Sequence, residues 1–199
     1  MAANPDTYKD LVTRQRSRNP CVANLDDFLS RDHGNRECRI QALDFIRGET
    51  AQPREVQGLF AELTKTRSCQ FMGQLLMIED LTSSVIEALG STLNIDPLFF
   101  ASHLDTPSMK IDSLAPNKAT LPSRLRSKDY VNIHYHRTIK FQAQRAPPPK
   151  HLNLQREDIY IHRKVTVLMP IKDVQIGLAQ HCVSIYRTIR PAGDWLGNH

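Results

Sequence analysis

Two histidines separated by one residue, His134 and His136 in YVNIHYHRTIKF, are the most pointed chemical constellation in the chain. On a strand, residues two apart project from the same face, so the pair would offer two imidazoles side by side to zinc or another transition metal. A third ligand can come from His162 on a neighbouring predicted strand. No fourth ligand with ordered spacing accompanies them, and a polar sheet face beneath a loop explains the same pattern. The pair is therefore kept as an alternative metal site behind that plainer reading. The four cysteines, Cys21, Cys38, Cys69 and Cys182, show no C-x-x-C spacing, so neither a zinc ribbon nor a disulfide framework is expected. Three of them lie among apolar strand residues, which predicts reduced, buried thiols. Cys182 follows His181 directly; strand neighbours face opposite ways, so they form no nucleophile and base pair by themselves. With only eight glycines, no glycine-rich phosphate loop, no G-x-S-x-G and no H-E-x-x-H, the chain is not expected to be an enzyme.

Charge points to partners. A net charge of +5 gathers at Arg14, Arg16 and Arg18, at Arg124, Arg126 and Lys128, and at Arg137, Lys140, Arg145 and Lys150. No RNA-binding aromatic strand, zinc-finger spacing or basic recognition helix accompanies these clusters, so nucleic acid is the weaker expectation. An acidic protein or an anionic membrane surface explains the excess equally well. With 199 residues, 40% hydrophobic and 24% charged, the composition is that of one ordinary globular domain. No apolar run reaches the roughly 18 to 20 residues that cross a bilayer, and the N-terminus MAANPDTYKD is polar, so a soluble cytoplasmic protein is expected.

The elements that must carry these residues are arranged around Ser68 to Thr106. Cys69, Phe71, Gly73, Leu75 and Met77 alternate with Gln70, Gln74, Leu76 and Ile78, which predicts a strand whose far end is covered on both sides. At Asp80 the period becomes helical, with Leu81, Val85, Ile86, Leu89 and Leu93 on one face and Asp80, Thr82 or a Ser84 and Glu87 capping box at its start. Asp96 and Pro97 open a second helix that buries Phe99, Phe100 and Leu104. Upstream, Cys38 to Phe45 alternate as a first strand, and Pro53 opens a helix carrying Val56, Leu59, Phe60 and Leu63. Strand, helix and strand in this order predict a crossover unit.

Residues 1–36 read as a helical lead-in, with Tyr8, Leu11 and Val12 in one segment and Leu25, Phe28 and Leu29, capped by Asn24, in another, both docking on the body formed by 37–199. After Thr106, prolines 107, 116 and 122 predict a long irregular connection. Strands follow at Tyr130 to Phe141, Ile159 to Met169 and Val174 to Ile185. The expected fold class is α/β, a mixed β-sheet with flanking helices in the order β-α-β-α-α-β-β-β.

The run IEDLTSSVIEALGSTLNIDPLFFASHLDTP resembles the cytoplasmic domain of fungal CorA-like magnesium transporter proteins, in which a strand, a helix, a short helix and an extended segment follow in this order. YVNIHYHRTIKF, HRKVTVLMP and IGLAQHCVSIYR look like later strands of the same domain, so the resemblance covers roughly Ile40 to Trp195. It implies a regulatory or interaction domain without a pore of its own, lying at the cytosolic face of a membrane beside the rest of a transporter-like chain, and a homo-oligomer is among the assemblies it implies. The family's stalk helix, two membrane helices and Gly-Met-Asn motif do not appear before the final Gly197, Asn198 and His199. A truncated longer protein is thus the expectation, ahead of a natural short relative. No tightly bound cofactor is expected. If the domain senses magnesium, oxygen ligands are required, and Glu79, Asp105 and Asp112 are the candidates for weak binding, whereas Asp80 and Asp96 are accounted for as helix caps. The alternative is a stand-alone binding module for an acidic protein, anionic membrane surface or nucleic acid, unrelated to ion transport.

Overall fold

Alternation along Phe71–Glu79 forms the strand β3 in the interior of a mixed sheet of eight strands. On one side it pairs antiparallel with β1 (Arg39–Ile46), Ala42 facing Leu76 and Asp44 facing Gln74. On its other side it pairs parallel with β8 (Trp195–Asn198). β1 carries the short edge strand β2 (Pro53–Glu55). The remaining strands are β4 (Tyr130–Phe141), β5 (His151–Leu154), β6 (Arg163–Val167) and β7 (Gln175–Ile189), and the sheet order is β2-β1-β3-β8-β7-β6-β5 with β4 added to β7. This computed structural model describes residues 7–31, 38–104, 129–141, 151–154, 163–168, 174–189 and 195–198.

The length of β7 explains the topology. Its Tyr186 pairs with both Tyr130 of β4 and Asn198 of β8, and its Ala179 with both Arg137 of β4 and Val165 of β6. A strand has two edges, so β4 occupies one of them throughout while β6 and β8 share the other. β7 is thereby the spine that joins the two halves of the sheet.

Among the described residues five α-helices pack on the sheet face that bears Ile40, Ala42, Leu76, Tyr186 and Leu196. α1 (Tyr8–Arg16) begins in a capping box, Thr7 accepting from the Asp10 amide while the Asp10 carboxylate accepts from the Thr7 amide. α2 (Ala23–Leu29) follows a 3-10 turn over Pro20–Val22, and α3 (Leu59–Thr64) lies between β2 and β3. α4 (Ser83–Leu93) is capped by Thr82, whose hydroxyl accepts from the Val85 amide at 3.3 Å, and it ends where Asn94 turns left-handed at φ 50°. α5 (Pro97–Leu104) starts with the Asp96 carboxylate accepting from the Leu98 amide at 2.9 Å. Among the described residues no helix is long and apolar enough to cross a membrane.

The two N-terminal helices join the core with their apolar residues. Tyr8, Val12, Val22, Leu25, Phe28 and Leu29 are buried together with Phe99 and Phe100. Tyr8 lies against Gly90, where an added Cβ would come within 2.6 Å of its ring, and its hydroxyl donates to the Ile95 carbonyl at 2.8 Å. The amides of Tyr8 and Lys9, free donors at a helix start, are taken by the Glu87 carboxylate at 2.6 and 3.0 Å. Burial first, with the charges of Asp96 and Glu87 adding to it, pushes the Tyr8 phenol far up, so it stays a neutral donor.

The α/β class and the mixed sheet with flanking helices are observed, with the predicted order interrupted by three short strands, β2, β5 and β8. Several local expectations are corrected. Pro53 opens β2 rather than a helix, a position that edge strands tolerate because no N–H is missed there, and the helix waits until Leu59. The chain turns back into this edge strand, so β1 and β3 are antiparallel neighbours and no parallel crossover unit forms. Val56, Leu59 and Leu63 are buried as predicted, but Phe60 is exposed. Asn24 lies inside α2, whose N-cap position is Val22. Among the described residues helices cover only one side of β3, and Leu75 and Met77 on the other side are half-buried. All four cysteines are free, yet Cys21 and Cys69 are exposed because one sits in the 3-10 turn and the other in the turn ahead of β3.

Candidate functional site

β4 and β7 form an antiparallel ladder from Tyr130 opposite Tyr186 to Phe141 opposite Gln175, with no register shift. Its two faces differ. Toward the helices stand Asn132, His134 and His136 of β4 and, across from them, Ser184, Cys182 and Gln180. Away from the helices stand Val131, Ile133 and Tyr135, facing Ile185, Val183 and His181.

On the helix-side face His103 of α5 reaches down to the sheet, its Nδ1 2.7 Å from the Ser184 hydroxyl. Cys182 Sγ lies 3.6 Å from the same hydroxyl and 4.0 Å from His134 Nε2, and Asn132 Nδ2 donates to the Phe99 carbonyl at 3.5 Å. A hydroxyl against an imidazole is the first half of a nucleophile and base pair. Ser184 is only 8% exposed, however, closed beneath α5, where the bond ties that helix to the sheet. No motif in the sequence singles out His103. Its signal was positional: it follows Phe99 by four residues and therefore shares its sheet-facing side.

The sequence-predicted metal ligands are distributed as follows. His134 and His136 share a face of β4 and are exposed. His162, Asp105 and Asp112 lie outside the described residues. Glu79 ends β3 on the surface, with its carboxylate 3.5 Å from Arg39. Its backbone carbonyl accepts from the Cys38 thiol at 2.8 Å. Burial, reinforced by the charges of Asp80 and Glu79, pushes that thiol up to about 12, so it is no nucleophile. Among the described residues no three His, Cys, Asp or Glu side chains gather closely enough to hold a metal ion. A carboxylate held by an arginine does not by itself fit magnesium, which takes several oxygens in an octahedron.

A second polar cluster locks α3 to the sheet. The buried Glu62 carboxylate accepts from Arg54 at 3.0 Å, from Gln74 at 2.7 Å and from Arg67, while Asp44 accepts from Arg54 at 2.8 Å and from Gln74 at 2.7 Å. Burial alone would raise the Glu62 carboxyl, but the bonds from Arg54, Arg67 and Gln74 outweigh it and hold the group at about 2. Every carboxylate charge here meets a cation, which describes a structural tie.

The helix-free face carries the unusual feature. Val131 is 44%, Ile133 48% and Tyr135 39% exposed, and Ile189 at the end of β7 is 64% exposed. Single exposed apolar residues are ordinary, but three at successive same-face positions make a stripe on the surface. Tyr135 stacks on His181 at 5.3 Å between ring centroids, which holds it upright in that stripe. Comparison of the chain with family models, with curated proteins and with solved structures returned no match.

Proposed function

We propose that this chain is a regulatory or interaction domain that works by contact rather than catalysis, in the manner of the cytosolic part of CorA-like divalent-cation transporters. The single observation that carries the reading is the exposed stripe of Val131, Ile133 and Tyr135 on the helix-free face of β4. Apolar side chains at that density gain by leaving water, roughly 25 cal/mol for each Å² covered, so the stripe favours a covering surface. The run from Ile78 to Pro107 that resembles the transporter domain supports the first form of the proposal. The alternative form, a stand-alone module for an acidic protein, is favoured by Arg137, Lys140 and Arg187, all exposed on or beside the same ladder.

Site-directed photo-crosslinking tests the contact reading common to both forms. With p-benzoylphenylalanine introduced at Ile133, at Ile189 or, as a control on the helix side, at exposed Phe60, cells of the source organism should yield the same adduct from the first two positions and none from the third. Equal yields from all three positions would remove the helix-free face from the account.

A further inference from the structure

We infer that the outer edge of β4 is a receptor for an extended acidic peptide, which adds to the sheet as a further strand; the inference rests on the contact reading above and specifies its partner. Among the described residues β4 pairs only with β7. The Arg187 amide donates to the Asp129 carbonyl at 2.8 Å, which marks Asp129 and Arg187 as a hydrogen-bonded pair in the antiparallel register that continues into Tyr130 opposite Tyr186. Hydrogen-bonded and non-bonded pairs alternate along such a ladder. Val131, Ile133, Tyr135, Arg137 and Ile139 therefore exchange their backbone groups with β7. Asn132, His134, His136, Thr138 and Lys140 turn theirs outward, a row of donors and acceptors spaced for another strand.

Proteins blunt such edges with proline, with bulges or with charge. β4 contains no proline and no register shift, and its two charged side chains, Arg137 and Lys140, are both cations. A second copy of this strand would bring like charges onto one ribbon, whereas an acidic strand would neutralise them. Alternation then fixes the sequence chemistry of the guest. Its side chains on the helix-free face lie beside Ile133 and Tyr135 and should be apolar; those on the other face lie beside His134, His136 and Lys140 and should be aspartate or glutamate.

The test uses the full chain and a fluorescein-labelled, acetylated and amidated peptide of alternating valine and glutamate, read by fluorescence anisotropy. Binding should weaken as salt rises and should be absent for an alternating valine and lysine peptide. Methylating the pairing amides of the acidic peptide, which leaves its charge and side chains intact, should weaken binding about tenfold or more by removing strand hydrogen bonds. Thr138→Pro removes one outward N–H of an edge strand and should weaken binding while melting temperature stays near that of the parent; His136→Ala, which keeps the backbone intact, should weaken it less. Equal affinity for the methylated peptide would overturn strand addition. Sedimentation as a dimer that Thr138→Pro dissociates would assign the edge to a second copy, and binding to phosphatidylserine vesicles but not to the peptide would assign the cations to a membrane; either result overturns the proposal. Adducts at Ile133 and Ile189 without peptide binding would leave the contact reading standing and remove only this partner, whereas loss of both removes both.

Discussion

Replacing Glu62 by glutamine is expected to destabilise the protein by about 3 kcal/mol at neutral pH, since a buried carboxylate removed from its arginines leaves uncompensated charge behind. The Arg67 side chain, 9% exposed, lies beside it and over the Phe71 ring at 4.8 Å, and its Nε has no hydrogen-bond partner among the described residues. The pH dependence gives an independent check. A folded-state value of about 2 against an ordinary 4.5 means that the contribution is complete above pH 4.5 and is lost as pH falls toward 2. At 1.36 kcal/mol per pH unit this interval is also worth about 3 kcal/mol. Urea titrations from neutral pH down to about pH 3 should therefore show the parent losing stability on acidification more steeply than Glu62→Gln. Parallel curves for the two proteins would mean that the tie of α3 to the sheet is not ionic. The exposed control Glu49→Gln should shift stability by less than about 0.5 kcal/mol.

Leu89→Ala should cost about 2 to 5 kcal/mol, the range for deleting most of a leucine from a packed core. Leu89 is 0% exposed and stands on the side of α4 that also buries Val85 and Ile86, within the cluster that includes Leu76 and Phe100. Denaturant unfolding with an unchanged slope and a lowered midpoint would register the loss. Phe60→Ala is the contrast, because Phe60 belongs to the same kind of apolar spacing in α3 but faces solvent. A loss below about 0.5 kcal/mol at Leu89 would mean that α4 does not cover the sheet in this way.

Comparing these two residues shows what the sequence made legible. Leu89 repeats with Val85 and Ile86 over a long, well-capped helix, so period and cap signals agreed. Phe60 lies in a helix of only six residues, too short for period alone to determine which side is buried. β4 could be read because its alternation runs for twelve residues, whereas β2, β5 and β8 are three or four residues long and owe their existence to neighbouring strands. The tie of Gln74 to Glu62 and that of His103 to Ser184 join residues 12 and 81 positions apart. Such pairings arise from topology, so the residues on each side carried no local signal. The same holds for the candidate surface. The alternation of β4 gave its two faces, but only the pairing of β7 with β4, β6 and β8 reveals which edge is unpaired among the described residues.

Amide-resolved hydrogen exchange along β4 tests that open edge most directly, because it needs no partner and reads each backbone group separately. In the free chain the amides of Ile133, Tyr135 and Arg137 should exchange slowly, bonded to β7, while those of His134, His136 and Thr138 exchange faster by at least about tenfold, as outward N–H groups should. Addition of the acidic peptide should slow the second set and leave the first unchanged. Uniform slow exchange along the strand in the free protein would show that the edge is already paired, and the account of β4 as a contact surface would fail.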